Sequence, residues 1–403
     1  MIAPPSSPPA PVQALIAAGR RALHGSCAGV PRLTGGEAAA LPAYARRHGM
    51  TAFLPHAAAV LDDGDAGLRR AFQQAARDDA VEMLRNTTEL LAIVRHLTHA
   101  GIEFVVLKGP VFAAWLYGDG GMRRFVDADV VVRQCELGEA LRALEQIGFV
   151  RRIPDRGADP IYTSLGAWPL TRGPGLAVDL HWQLSARRFP MPCAAAEVIA
   201  GAVPVRLGDQ NVPAPAPTDA AVLALLHAAK HVWYALELIL ATAWLTRRDD
   251  IDWPRAHALL RRAGAVRAGA AGLRLASHLF ATSVPRPFAG EIDSPAVCAL
   301  VTYACSALCL PPDTFASRWL ERRAHLAAFD CARDRLQYDL RRLLEPTALE
   351  WEWLRLPRLL TPLYAPLRMV RLAITPLSGV VRRAMPAAPA GRRTPRSGSS
   401  LSA

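Results

Sequence analysis

Apolar positions along this chain change period twice. Between residues 13 and 100 they recur every three or four positions. Ala76, Ala80, Met83, Leu84, Leu90, Leu91, Val94 and Leu97 predict a long helix over 71–99, stopped by Gly101. From 102 to 182 the pattern shortens to compact runs. One, from Ile102, ends on Lys108-Gly109-Pro110; a second, Val130–Val132, follows Asp127 and Asp129; a third, Leu176–Trp182, encloses Asp179. β-Branched runs of this length with Gly-Pro stops predict buried strands. Short helices are expected between them over 112–116 and 136–147. After residue 218 the helical period returns, over 220–245, 253–263, 267–280, 295–310 and about 316–344.

This order predicts an α+β fold: a small mixed β-sheet core flanked by N-terminal helices and a C-terminal helical domain. The expected divisions are a disordered leader (1–12), an N-terminal helical segment (13–100), the core (101–200), a Pro-rich linker (201–217), a helical domain (218–352), a basic segment (353–385) and a disordered tail (386–403). The linker is read from its prolines, which end in Pro213, Pro215 and Pro217.

Composition narrows the class. Half of the 403 residues are apolar and a fifth are charged, which excludes a disordered chain. The apolar stretches 232–245 and 296–310 are too short to span a bilayer, so no transmembrane segment is expected. Residues 1–11 lack the pattern of a signal peptide. Seven scattered cysteines contain no Cys-x-x-Cys pair, so neither a zinc finger nor a disulfide framework is expected, and a reducing cytoplasm is. The net charge is +12, and only Lys108 and Lys230 among the bases are lysines. Arg and Lys differ wherever a compact point charge is needed, which singles out these two.

No acid follows Glu352, whereas Arg355, Arg358, Arg368, Arg371, Arg382 and Arg383 do. A solvated Arg-rich face is the first reading. A nucleic-acid patch and a membrane-surface helix over 367–374 are the others, the last limited by Pro362, Pro366 and Pro376.

Asp127 and Asp129 carry the sharpest chemical signal. Residues at i and i+2 of a strand leave the same face, so the two carboxylates converge. Such a pair repels unless a cation lies between its members, and Mg²⁺ favours hard oxygen donors with phosphate in its remaining positions. Asp179 is a third candidate, with His181 beside it either as a supporting group or as a strand-surface residue. His227 and His231 share a helix face and could chelate zinc, but Ala228 stands where a zinc protease carries Glu.

The segment VVLKGPVFAAWLYGDGGMRRFVDADVVVR (105–133) resembles bacterial nucleotidyltransferases of the DNA polymerase β-like superfamily. It looks closest to a large, poorly characterised subgroup with a Leu-Lys-Gly strand end, here Leu107-Lys108-Gly109. Tyr117, Arg124 and the strand from Asp127 to Val132 complete the likeness. VDLHW (178–182), HAAKHVW (227–233), LLEPTALEW (343–351) and LYAPLRMVRL (363–372) resemble further parts, so the similarity spans most of 40–375. Four departures stand out. The spacer before Asp127 is longer than in the minimal transferases. Lys108-Gly109 replaces the superfamily's usual Gly-Ser. Ala128 is smaller than usual. Leu240–Ala243 stand where the subgroup often carries an Asp.

The resemblance implies transfer of a nucleoside monophosphate from an NTP to an acceptor, with release of pyrophosphate. It implies two Mg²⁺ held by Asp127, Asp129 and Asp179, the last also drawing the acceptor's proton. Lys108, Gly109, Arg124, Lys230 and His231 would contact the nucleotide. The acceptor is open: a small molecule, a peptide or an RNA. Two rival readings are a non-catalytic NTP-binding protein with a degenerate site and a basic nucleic-acid-binding protein.

Overall fold

Helices at the N-terminus form where the apolar period is helical. The computed structural model describes residues 8–25, 31–58, 66–152, 159–173, 175–309 and 315–372. The tail expected over 386–403 and most of the leader lie outside them. The leader's end does not: helix α1 (Ala10–His24) already starts at Ala10, with Pro11 in its first turn, where a missing N–H costs nothing. Then come α2 (Gly35–Arg47), opened by a Thr34–Glu37 capping box, α3 (Leu54–Ala58) and the 34-residue α4 (Ala66–His99).

The core follows as β1 (Phe104–Val106), α5 (Gly109–Tyr117), β2 (Asp127–Val132), α6 (Leu137–Gln146), β3 (Val150–Arg151), α7 (Asp159–Leu165), β4 (Ala167–Thr171) and β5 (Ala177–His181). The five strands make one sheet in the order β1-β2-β5-β4-β3. β2 and β5 are parallel and the other pairs antiparallel, so the sheet is mixed, as expected. Ala128, Val130, Val132, Val178 and Leu180 pack with Leu90, Ile93 and Val94 of α4 on one face. On the other face Val131, two residues beyond Asp129, packs against α8 (Ala195–Ala200). Strand alternation thus hands one face to the core and the acids to the other.

The expected Pro-rich linker contains a hairpin, β6 (Val203–Leu207) with β7 (Gln210–Ala214). Pro204 lies opposite Pro213, so the two residues without an N–H share one rung of the ladder. Leu207, Val212 and Ala214 join the sheet's core, an alternation that outweighs the prolines.

The helical half holds α9 (Pro217–Lys230), α10 (Leu236–Leu245), α11 (Trp253–Arg262), α12 (Val266–Phe280), α13 (Pro295–Cys309), α14 (Phe315–Ala328), α15 (Ala332–Leu344) and α16 (Ala348–Trp353). Two expected helices are each broken in two. The run 220–245 breaks after Lys230, where Val232 and Trp233 adopt left-handed φ of 51° and 48°. The reason is tertiary: the break sinks Trp233 fully into the helical core. The run 316–344 breaks at Asp330, whose carboxylate accepts the backbone N–H groups of Val266 (2.8 Å) and Arg267 (3.0 Å) at the start of α12. Among the described residues no helix is long and apolar enough to cross a membrane.

Candidate active site

The site grows from the register of two parallel strands. Asp129 of β2 stands opposite Asp179 of β5, and the i+2 period puts His181 on the same face. His181 Nε2 lies 2.9 Å from Oδ1 of Asp129. On the far side β1 ends against β2, where the Leu107 N–H donates to the Asp129 carbonyl at 3.1 Å. The next residue, Lys108, brings Nζ to 3.1 Å from Asp129 Oδ2. One carboxylate is therefore clamped between an ammonium and an imidazole. Gly109 then turns into α5 with φ +66°, a conformation that disfavours any side chain.

Potential ligand atoms of Asp129, Asp179 and His181 lie within 4.8 Å of one another, the one such set of three among the described residues. Asp127 falls outside it, at the head of β2. The electrostatics separate the three acids. Burial raises the Asp127 carboxyl to about 6, with Asp129 and Asp179 pushing the same way. Burial likewise raises Asp179, against the pull of His181. Burial acts on Asp129 too, but Lys108 and His181 outweigh it and hold its carboxyl well below the usual range. Asp129 is thus the standing negative charge of the group.

These residues open onto a cleft of about 810 Å³ between the sheet and helices α2, α9 and α10. Its walls carry Arg46, Arg47, Arg123, Arg188 and Lys230 around the acids, a setting suited to a polyanion held through a cation. Burial, with Lys108 and Arg188 nearby, lowers the Lys230 ammonium to about 8, so it stays mostly charged at neutral pH. Its backbone carbonyl lies 2.6 Å from Nε2 of buried His325 on α14. His231 also lines the cleft, and burial depresses it to about 3. His227 packs its ring 4.5 Å from that of His231; the two lie outside the metal-competent set.

Arg124 lines the cleft, but its guanidinium is tied to α4, 3.2 Å from Glu82 and 3.9 Å from Asp79. Its neighbour Arg123, passed over in the sequence, pairs with Glu237 at 2.9 Å and lies over the Phe112 ring. Arg46, Arg47 and Arg188 were also not singled out. In a chain whose bases are nearly all Arg, no single Arg stands out.

A search of curated proteins returns no match for this chain. A family model described as an uncharacterised nucleotidyltransferase matches residues 35–281, more than half of the chain, running from α2 past the end of α12. That stretch contains the acids, Lys108, Lys230 and the cleft's basic walls, and by it the chain belongs to this nucleotidyltransferase family of enzymes.

Proposed function

We propose that this enzyme moves a nucleoside monophosphate from an NTP to an acceptor and releases pyrophosphate, with Mg²⁺ held by Asp129 and Asp179 and supported by Asp127. The observation that carries this reading is the meeting of Asp129, Asp179 and His181 at the edge of a basic cleft. The donors suit the ion: two carboxylates supply hard oxygens, and one is strongly biased toward its ionised form. A cation already rests on Asp129 in the form of the Lys108 ammonium, so the site tolerates positive charge there. When bound, Mg²⁺ would neutralise the triphosphate and the departing pyrophosphate.

The chain's own groups supply the rest. Lys108 exchanges its hold on Asp129 for a phosphate oxygen. Gly109 lets phosphate approach the backbone at the start of α5. Lys230 and Arg188 add fixed charge on the opposite wall, where preorganised cations outperform solvent. Asp179, whose carboxyl is raised, takes the acceptor's proton. The free thiols among the described cysteines suit a reducing cytoplasm.

A second reading has one observation in its favour. Both carboxylate oxygens of Asp129 are already engaged, as in a protein that binds an NTP without turning it over. Pyrophosphate release from each NTP with Mg²⁺, over mixed small-molecule, peptide and RNA acceptors, separates the two. Turnover lost in Asp129→Asn supports transfer. Saturable NTP binding without pyrophosphate supports the second reading, and absence of both sinks each.

A further inference from the structure

The end of α9 leaves the Lys230 carbonyl without its helical partner. In a continuing helix the Tyr234 N–H would donate to it. Here the chain turns through left-handed Val232 and Trp233, and the Tyr234 N–H donates to the His231 carbonyl at 3.1 Å. The Lys230 carbonyl is met from outside, by Nε2 of His325 on α14 at 2.6 Å. A carbonyl can only accept, so Nε2 carries the proton and Nδ1 is the acceptor. Tyr338 of α15 fills that role. Its hydroxyl lies 2.7 Å from Nδ1 and donates to it, while its oxygen accepts from Arg342 Nη1 at 3.2 Å. His325 and Tyr338 are both buried. Burial lowers the His325 pKa to about 3, so the ring is neutral at physiological pH and one tautomer satisfies both bonds.

The same residues stand behind the Lys230 side chain. Phe189 packs its ring 5.1 Å from that of His325 and 5.7 Å from that of Tyr338. Lys230 Nζ lies over the Phe189 ring at 5.7 Å, and the Arg188 guanidinium lies over it at 5.5 Å. Among the described residues neither cation pairs with a carboxylate, and both line the cleft. Main chain and side chain of Lys230 are thus held by one cluster, which leaves its charge for an anion in the cleft.

We propose that His325 is a positioning residue: with Tyr338 it fixes the end of α9 and so sets where the Lys230 ammonium meets the phosphates of an NTP. The working site then extends to α14 and α15. This inference rests on the proposed function for its ligand, an NTP, and not for turnover.

The test is a double-mutant cycle on the full chain, read by calorimetric binding of each NTP with Mg²⁺ and no acceptor. Lys230→Met is expected to weaken the best-bound NTP about tenfold or more. His325→Leu loses most of that factor, and Tyr338→Phe loses part of it. His325→Gln, which can still donate to the carbonyl, recovers affinity relative to His325→Leu. In the Lys230→Met background His325→Leu costs no more than about twofold, because its effect runs through the missing ammonium. Circular dichroism confirms folding; should His325→Leu not fold, the cycle with Tyr338→Phe replaces it. Losses that multiply in the double variant overturn the proposal, since a packing role is additive. Wild-type affinity in both His325→Leu and Tyr338→Phe overturns it too. No NTP binding by wild type sinks this inference and the transfer reading together. A cycle that behaves as expected in a protein that never releases pyrophosphate supports the inference and sinks transfer alone.

Discussion

Lys108 and Asp129 form an ion pair across two antiparallel strands, Nζ to Oδ2 at 3.1 Å, with Lys108 at the lip of the cleft. Neither residue depends on a flexible loop for its place. The Leu107 N–H to Asp129 carbonyl bond fixes the backbone of both strands directly beside them.

Lys108→Met should therefore lower kcat/KM for the NTP by roughly 10²–10³, the scale of removing one preorganised electrostatic contact. Lys108→Arg should recover only part of this, because a planar fork does not replace a compact ammonium. Pyrophosphate release at saturating Mg²⁺ is the measurement. An unchanged kcat/KM in Lys108→Met would show that this lysine serves only to neutralise Asp129.

Much of this site was legible from local pattern. Alternation on β2 gives the shared face of Asp127 and Asp129, and the Gly-Pro stop gives the position of Lys108. What pattern alone does not give is the third partner. His181 and Asp129 are 52 residues apart, and only the parallel pairing of β2 with β5 brings them together. The same limit hides the break after Lys230. The run 220–245 reads as one helix because nothing local opposes it, and burial of Trp233 from a distant core decides otherwise. Proline content misled at 203–214, where two prolines sharing a rung leave a hairpin intact.

His181 touches the central carboxylate and orients it, and such supporting groups typically cost 10–100-fold in metal affinity when removed. His181→Ala should weaken Mn²⁺ binding by about that factor, read by electron paramagnetic resonance on the free protein. The fold should survive, since His181 is partly exposed at the cleft. Tighter Mn²⁺ binding in the variant would mean instead that the imidazole competes with the ion for Oδ1.

His48 is fully buried, and neither ring nitrogen has a hydrogen-bond partner. Burial, with Arg47 adding to it, lowers its pKa to about 4. In the unfolded chain the imidazole binds a proton near 6.5, whereas the folded protein refuses it until about 4. Unfolding is thus favoured as pH falls through that window, and the stability lost amounts to about 3 kcal/mol. Above 6.5 the effect vanishes. Urea midpoints taken between pH 7 and 4 should fall more steeply in wild type than in His48→Leu. Parallel slopes would remove His48 as the source.

Glu350 ties the last described helix, 364–372, to the body of the protein. It is wholly buried, accepts from Thr347 and Arg371, and lies against Arg368. Its own burial raises its carboxyl, but Thr347 and Arg371 outweigh that and keep it in its charged form. Glu350→Ala leaves the Arg368 guanidinium buried without a carboxylate, a loss of about 3–5 kcal/mol for a pair broken on one side. The cost falls on residues 347–372, so limited proteolysis should cut there well before the catalytic core unfolds. Replacing Glu350 and Arg368 together, by Gln and Met, should restore part of the stability by removing both charges. A single-site loss below about 1 kcal/mol would show that water reaches Arg368 and that the helix is not locked in this orientation.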